Sequence, residues 1–318
     1  MILNRLMTYP WERQPLIVAI PFTTNPYPYV SYNLGTSFTQ GTQMTVAYAG
    51  MRELAIGYET RNCVATLNST SSTQTVYYSV TEGSSWVRPV VTNTSYSFGS
   101  GISPSGTAMF WSRSHIDEVF WYSYNSGTTV STSAIALDQP RGMQTNYSGT
   151  SVIAVSSYVT QGKYTTNSCS SWTAFTTPWT CNNLFTAENL SKWYIARTGS
   201  TTFISYSTNS GGSWTSIAGI AYSDYYYVKG NASSGQYILA AGQSNIYRSG
   251  NSGGTWTRIL TGSYVGLGAF SVSYTGKYMV IATNTAGQML VSSDYGVNWT
   301  TVNVSGVTAV FAAIAIQD

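Results

Sequence analysis

Charge is scarce in this chain: 8% of its 318 residues are Asp, Glu, Lys or Arg, against about 25% in ordinary soluble domains. Ser, Thr, Asn, Gln and Tyr must therefore supply most of the polar surface, which favours hydrogen bonding and stacking over ionic contacts. The net charge of +3 is dispersed with no Lys/Arg cluster. The basic stripe that neutralises phosphates is missing, and nucleic acid is not expected as a partner. Cysteine occurs three times, at Cys63, Cys169 and Cys181, without C-x-x-C spacing, so buried thiols are expected rather than a disulfide framework or a zinc site. Long apolar runs are missing too. The longest, residues 15–22 and 307–316, fall short of the roughly 20 residues that cross a bilayer as a helix, and no membrane insertion is expected. Residues 1–14 carry Arg5, Glu12 and Arg13 and lack an apolar stretch, so they do not resemble a secretory signal. Such a protein stays inside, or leaves by lysis or as part of a particle.

What the chain does have is an octet that recurs. Its clearest copy runs from Ser292 through Asp294 and Gly296 to Trp299. Ser249, Asn251, Gly253, Trp256 and Ser207, Asn209, Gly211, Trp214 repeat it with Asn for Asp. Upstream, Thr165, Asn167, Trp172 has Cys169 in the glycine position, and Ser123, Asn125, Gly127 ends in Val130. Ser79, Gly83, Trp86 has Thr81 in the acid position, and Ser31, Asn33, Gly35 ends in Phe38. Successive octets begin 48, 44, 42, 42, 42 and 43 residues apart. Repeats of this period are the mark of solenoids and propellers.

Each octet position has a mechanical reason. An Asp or Asn side chain accepts hydrogen bonds from turn amides, Gly supplies a positive φ, and the aromatic residue packs the outgoing strand onto its neighbours. Short β-type runs flank each octet, which reads as a hairpin connection. A second turn, Ser105-Gly106, Ser148-Gly149, Ser234-Gly235 or Thr275-Gly276, precedes most octets by 14 to 17 residues. Two hairpins per period give four strands, the content of a propeller blade. The expected fold is all-β: a seven-bladed β-propeller of four-stranded antiparallel blades over residues 16–318, with residues 1–15 as an extension. Residues 309–316 are expected to form the innermost strand of the blade whose other strands are residues 16–22, 27–32 and 36–44.

The octets resemble the Asp-box, or BNR, repeat of sialidases, sortilin-type receptor ectodomains and the photosystem II assembly factor propeller. The resemblance covers nearly the whole chain and implies the fold; in that family the boxes sit on outer turns away from the ligand. Sialidases carry an arginine triad, a Tyr/Glu nucleophile pair and an Asp acid/base, with one arginine in an Arg-Ile-Pro motif. Here the matching tripeptide is Ala19-Ile20-Pro21, and sialidases have six blades, so sialidase activity is not implied. No Trp is followed by Asp and no kelch-type glycine pair recurs, which sets WD40 and kelch propellers aside.

Strand alternation assigns the octets to one face of the disc. The other face, with the blade-to-blade links, is expected to carry function, through loops at residues 59–75, 112–118, 131–141, 177–183 and 217–227. Its densest polar group is Arg113, His115, Asp117 and Glu118, with the only histidine. Those residues suit general acid–base work, or, more simply, a solvated loop. Trp179, Tyr222, Asp224 and Tyr225, beside Tyr226 and Tyr227, offer aromatic faces next to an acid, as sugar recognition requires; packing between blades is the plainer alternative. Asp138 with Arg141, and Glu59 with Arg61, read as ion pairs on exposed loops.

No catalytic set, cofactor or metal site is indicated. The leading expectation is a non-catalytic binding or structural module, displayed on a viral or phage particle or a microbial envelope, with a glycan or a surface protein as partner. A glycoside hydrolase or lyase with an atypical site is a second reading, and needs two carboxylates about 5 to 10 Å apart among Glu59, Asp117, Glu118, Asp138, Glu188 and Asp224. A protein-binding assembly factor or capsid decoration is a third.

Overall fold

The strand Leu16–Pro21 is buried along its whole length, yet alternate side chains serve different partners. Leu16, Val18 and Ile20 pack with Leu54, Ile56 and Cys63, whereas Ile17 and Ala19 pack with Val280, Ala282 and Met289. A strand whose side chains alternate between two covered faces reads as an unbroken apolar run. The same arrangement recurs around a ring. The structure, a computed structural model, describes residues 13–45, 50–68, 76–89, 97–113, 119–181, 183–197, 204–218, 220, 227–242, 245–261 and 269–318.

Seven antiparallel sheets follow one another along the chain. Blade 1 takes its innermost strand, Phe311–Gln317, from the C-terminal side and adds Leu16–Pro21, Tyr29–Ser31 and Thr39–Gln40. Blade 2 is Gly50–Ile56, Cys63–Asn68 and Val76–Ser79, with its fourth strand reduced to a bridge between Tyr78 and Val87. Blades 3 to 7 start from the innermost strands Ser97–Ile102, Pro140–Thr145, Asn183–Thr186, Tyr227–Gly230 and Phe270–Val272, and each has four strands. Closure is as expected from the sequence. Leu16 pairs with Gln317, Ile17 with Ile316 and Val18 with Ala315, in antiparallel register.

Seven apolar clusters fill the gaps between successive blades, the last joining blade 7 to blade 1. The final octet position always enters the gap toward the preceding blade. Trp172 meets Phe120 edge-on at 4.9 Å, Trp214 packs beside Phe175 at 6.3 Å, and Phe38 joins the cluster that closes the ring. All three thiols are buried and free, as their number and spacing suggested.

The octets share one turn. Ser249 Oγ donates to Asn251 Oδ1 at 3.0 Å and accepts the Gly253 N–H at 2.9 Å. Asn251 Oδ1 also accepts the Thr255 N–H at 2.8 Å. The bond to the Gly N–H recurs at Gly35, Gly83, Gly127, Gly211 and Gly296, each at 2.9 Å. Thr81 substitutes its hydroxyl for the carboxamide and accepts the Ser85 N–H at 2.9 Å. Two successive residues have positive φ in every copy, a non-glycine residue followed by the fifth octet position: Leu34 then Gly35, Ser210 then Gly211, Ser168 then Cys169. The glycine has a second reason to be there. A Cβ on Gly211 would lie 2.7 Å from the Phe175 ring, and one on Gly83 2.8 Å from Val18, both in the preceding blade.

Candidate functional site

The innermost strands come together around the axis, and they position a site that lies apart from the octets. All seven line a central cavity of about 120 Å³. Its wall mixes apolar and polar groups, with Glu53 of blade 2 and Lys229 of blade 6 among the latter. Burial pushes the Glu53 carboxyl up to about 7, against the opposing pull of the Lys229 ammonium and a hydrogen bond from the main chain of Ser100. That N–H donates to Glu53 Oε2 at 3.3 Å. Burial likewise lowers the Lys229 ammonium, offset in part by Glu53. Lys229 Nζ also stands 5.5 Å from the centre of the Phe270 ring. A carboxyl and an amine removed from water favour their charged forms only through partners.

One end of the cavity is formed by the hairpins that follow the innermost strands. These hairpins share a face with the octets: the Ser126, Ser168, Ser252 and Tyr295 N–H groups donate to Thr107, Thr150, Gln236 and Lys277 carbonyls. Tyr274 of blade 7 lines the cavity there. Its ring stacks on Tyr58 of blade 2 at 4.1 Å, and its hydroxyl donates to Glu188 Oε2 of blade 5 at 2.8 Å. Three blades are thus tied across the axis. Gln317 adds a further tie, donating to the Ile56 carbonyl at 3.1 Å and accepting the Tyr274 N–H at 2.7 Å.

The residues singled out from the sequence are spread more widely. His115, Asp117, Glu118, Tyr222, Asp224 and Tyr225 lie outside the described residues, and Arg113 ends the strand Met109–Arg113. Trp179 is half-buried between blades 4 and 5. The Arg197 guanidinium lies 5.7 Å from its ring centre, and among the described residues its indole N–H has no hydrogen-bond partner. Residues 59–75 are not one loop: the strand Cys63–Asn68 divides them, and the part around Glu59 to Arg61 belongs to a hairpin on the octet face. Arg61 is not on an exposed loop. At 7% exposure it donates to the carbonyls of Gln14 and Asp318, because the junction of the two closing strands leaves those oxygens without sheet partners. Glu188 is on that same hairpin face, and Asp138 is half-buried with its carbonyl accepting from Ser156 Oγ. Among the described residues no cluster of His, Cys, Asp or Glu could hold a metal ion.

The sheet order and the shared clusters define a seven-bladed β-propeller with an axial cavity. No protein-family model matches the chain, and no curated protein matches it. Solved structures are similar to it in fold. A functionally unknown protein from Desulfotomaculum acetoxidans DSM 771 has a TM-score of 0.69 at 13% identity, over 95% of this chain and 98% of that one. Kuenenia stuttgartiensis hydrazine synthase has a TM-score of 0.60 at 12% identity, over 81% and 80%. YCF48 from Cyanidioschyzon merolae has a TM-score of 0.56 at 12% identity, over 83% and 94%. At such identities the likeness is one of fold.

Proposed function

We propose that the chain is a non-catalytic binding module that recognises carbohydrate through the face opposite the octets, displayed on the outer surface of a particle or envelope. On this reading the octets are Asp-boxes with a purely structural duty, since their polar side chains are consumed by the turn itself. The observation that carries the proposal is the placement of exposed aromatic rings on the other face. Phe22 and Tyr27 stand 46% and 40% exposed on the connection after Leu16–Pro21, and Tyr158 stands 66% exposed on the connection after Val152–Ser156. An aromatic face can take the C–H face of a pyranose, and the Ser-, Thr- and Asn-rich surroundings supply hydrogen bonds to its hydroxyls. The charge-poor composition fits a neutral ligand.

A glycan array probed with the full chain tests the proposal. At least one glycan class is expected to bind without being cleaved, and Tyr158→Ala and Phe22→Ala are expected to weaken it by about tenfold. Silence across a broad array, or binding that both variants leave untouched, refutes it. Release of a shortened sugar from a bound glycan favours the hydrolase reading instead.

A further inference from the structure

Three stretches of the face opposite the octets meet at one buried residue, Ser156, which ends the strand Val152–Ser156 of blade 4. Its Oγ donates to the Asp138 carbonyl, on the link from blade 3, at 2.5 Å, and accepts the Tyr158 and Val159 N–H groups at 3.0 and 2.9 Å. Its carbonyl accepts the Cys181 N–H, on the link to blade 5, at 2.8 Å. On that same link the Trp179 ring carries the guanidinium of Arg197, which follows the strand Trp193–Ala196 of blade 5. One junction thus gathers the exposed Tyr158 ring, an acid and a base.

Asp138 and Arg197 are both partly exposed, and no ion pair among the described residues ties either one down. Asp138 Oδ1 and Arg197 Nε have no hydrogen-bond partner there either, so each side chain can turn toward a ligand without giving up a bond. A ligand carrying one sign of charge meets a like charge at one of the two. A hydroxyl group donates and accepts alike, so a neutral sugar can donate to Asp138, accept from Arg197 and lay its C–H face on Tyr158. We infer that the junction around Ser156 is the primary subsite for one neutral pyranose ring, an inference that rests on the carbohydrate reading.

Saturation-transfer NMR on the full chain tests this, with the methyl glycosides of glucose, galactose, mannose and N-acetylglucosamine as probes. Glucuronic acid and glucosamine serve as their charged counterparts. At least one neutral glycoside is expected to bind through the protons of one ring face, and the charged sugars about tenfold more weakly. Tyr158→Ala, Asp138→Asn and Arg197→Gln are each expected to weaken it about tenfold, and Val297→Ser on the octet face to leave it unchanged. Circular dichroism melting shows that each variant is folded, and Tyr158→Ala, at an exposed ring, stays informative if a charge variant fails to fold. The inference is overturned if folded variants keep full affinity, if a charged sugar binds as tightly, or if no methyl glycoside binds. Any of these beside a positive glycan array moves the sugar to other loops of the face and leaves the carbohydrate reading standing, whereas a silent array removes both.

Discussion

Substituting alanine at two glycines separates backbone strain from close packing between blades. Gly306 has φ +78° with nothing within 4 Å of an added Cβ, so Gly306→Ala meets only the conformational penalty, about 1 kcal/mol. Gly211 has φ +84° and the Phe175 ring 2.7 Å from the added carbon. That ring has nowhere to retreat. On its other side a Cβ on Gly162 would come within 2.1 Å of it, and Trp193 meets it edge-on at 5.2 Å. Overpacking against a fixed side chain adds about 1–3 kcal/mol, so Gly211→Ala should destabilise by about 2–4 kcal/mol in all. For a chain of this length each kcal/mol moves the melting temperature by about 2 °C. Differential scanning calorimetry should then find losses of about 2 °C for Gly306→Ala and about 4–8 °C for Gly211→Ala. Equal losses would refute the second role assigned to the octet glycine and leave it a turn residue only.

Other outcomes follow from the site and the closure. Because the folded Glu53 carboxyl sits near 7 rather than 4.5, the folded state holds its proton through a window where the unfolded chain has released it. Stability should fall as pH rises from about 4.5 to 7, by up to about 3 kcal/mol, and the difference between the native chain and Glu53→Gln in urea unfolding at several pH values reads this one group. Arg61→Ala should cost about 2–3 kcal/mol and speed amide exchange first in Phe311–Gln317 and Leu16–Pro21, which Arg61 joins; uniform acceleration over all blades would contradict its clasping role. Burial pushes the Cys169 and Cys181 thiols up to about 11 and about 12 and raises Cys63 further. A thiol-reactive dye at mildly alkaline pH should label none of the three until the ring unfolds, and rapid labelling of the native protein would be inconsistent with that burial.

The ring was legible because it is written in repeats. Even spacing of Gly and Trp gives the number of blades, and the apolar stretches at both ends give the strand that closes it. The axial site was not, because it has no motif. Glu53, beside Arg52, and Lys229 are charges inside short strands, the usual look of a residue facing solvent, and only the curvature of the ring turns both toward the axis. Residues 59–75 read as one loop because the polar flanks of Cys63–Asn68 mask a strand whose Cys63 and Val64 are fully buried. The positive φ at Leu34 or Ser210 leaves no single residue type to mark it, since Glu82, Ser126 and Tyr295 hold the same octet position. Thr81 serving in place of Asn or Asp is legible only once the turn is seen to need an oxygen acceptor rather than a charge.

Each apolar layer is shared by two neighbouring blades, so no blade keeps an interior of its own. Excising one blade would strip two layers rather than one, and neither fragment would bury what it had exposed. With the closing strands still clasped, loss of structure should therefore be collective, and the disc should resist proteases as a whole until it yields as a whole.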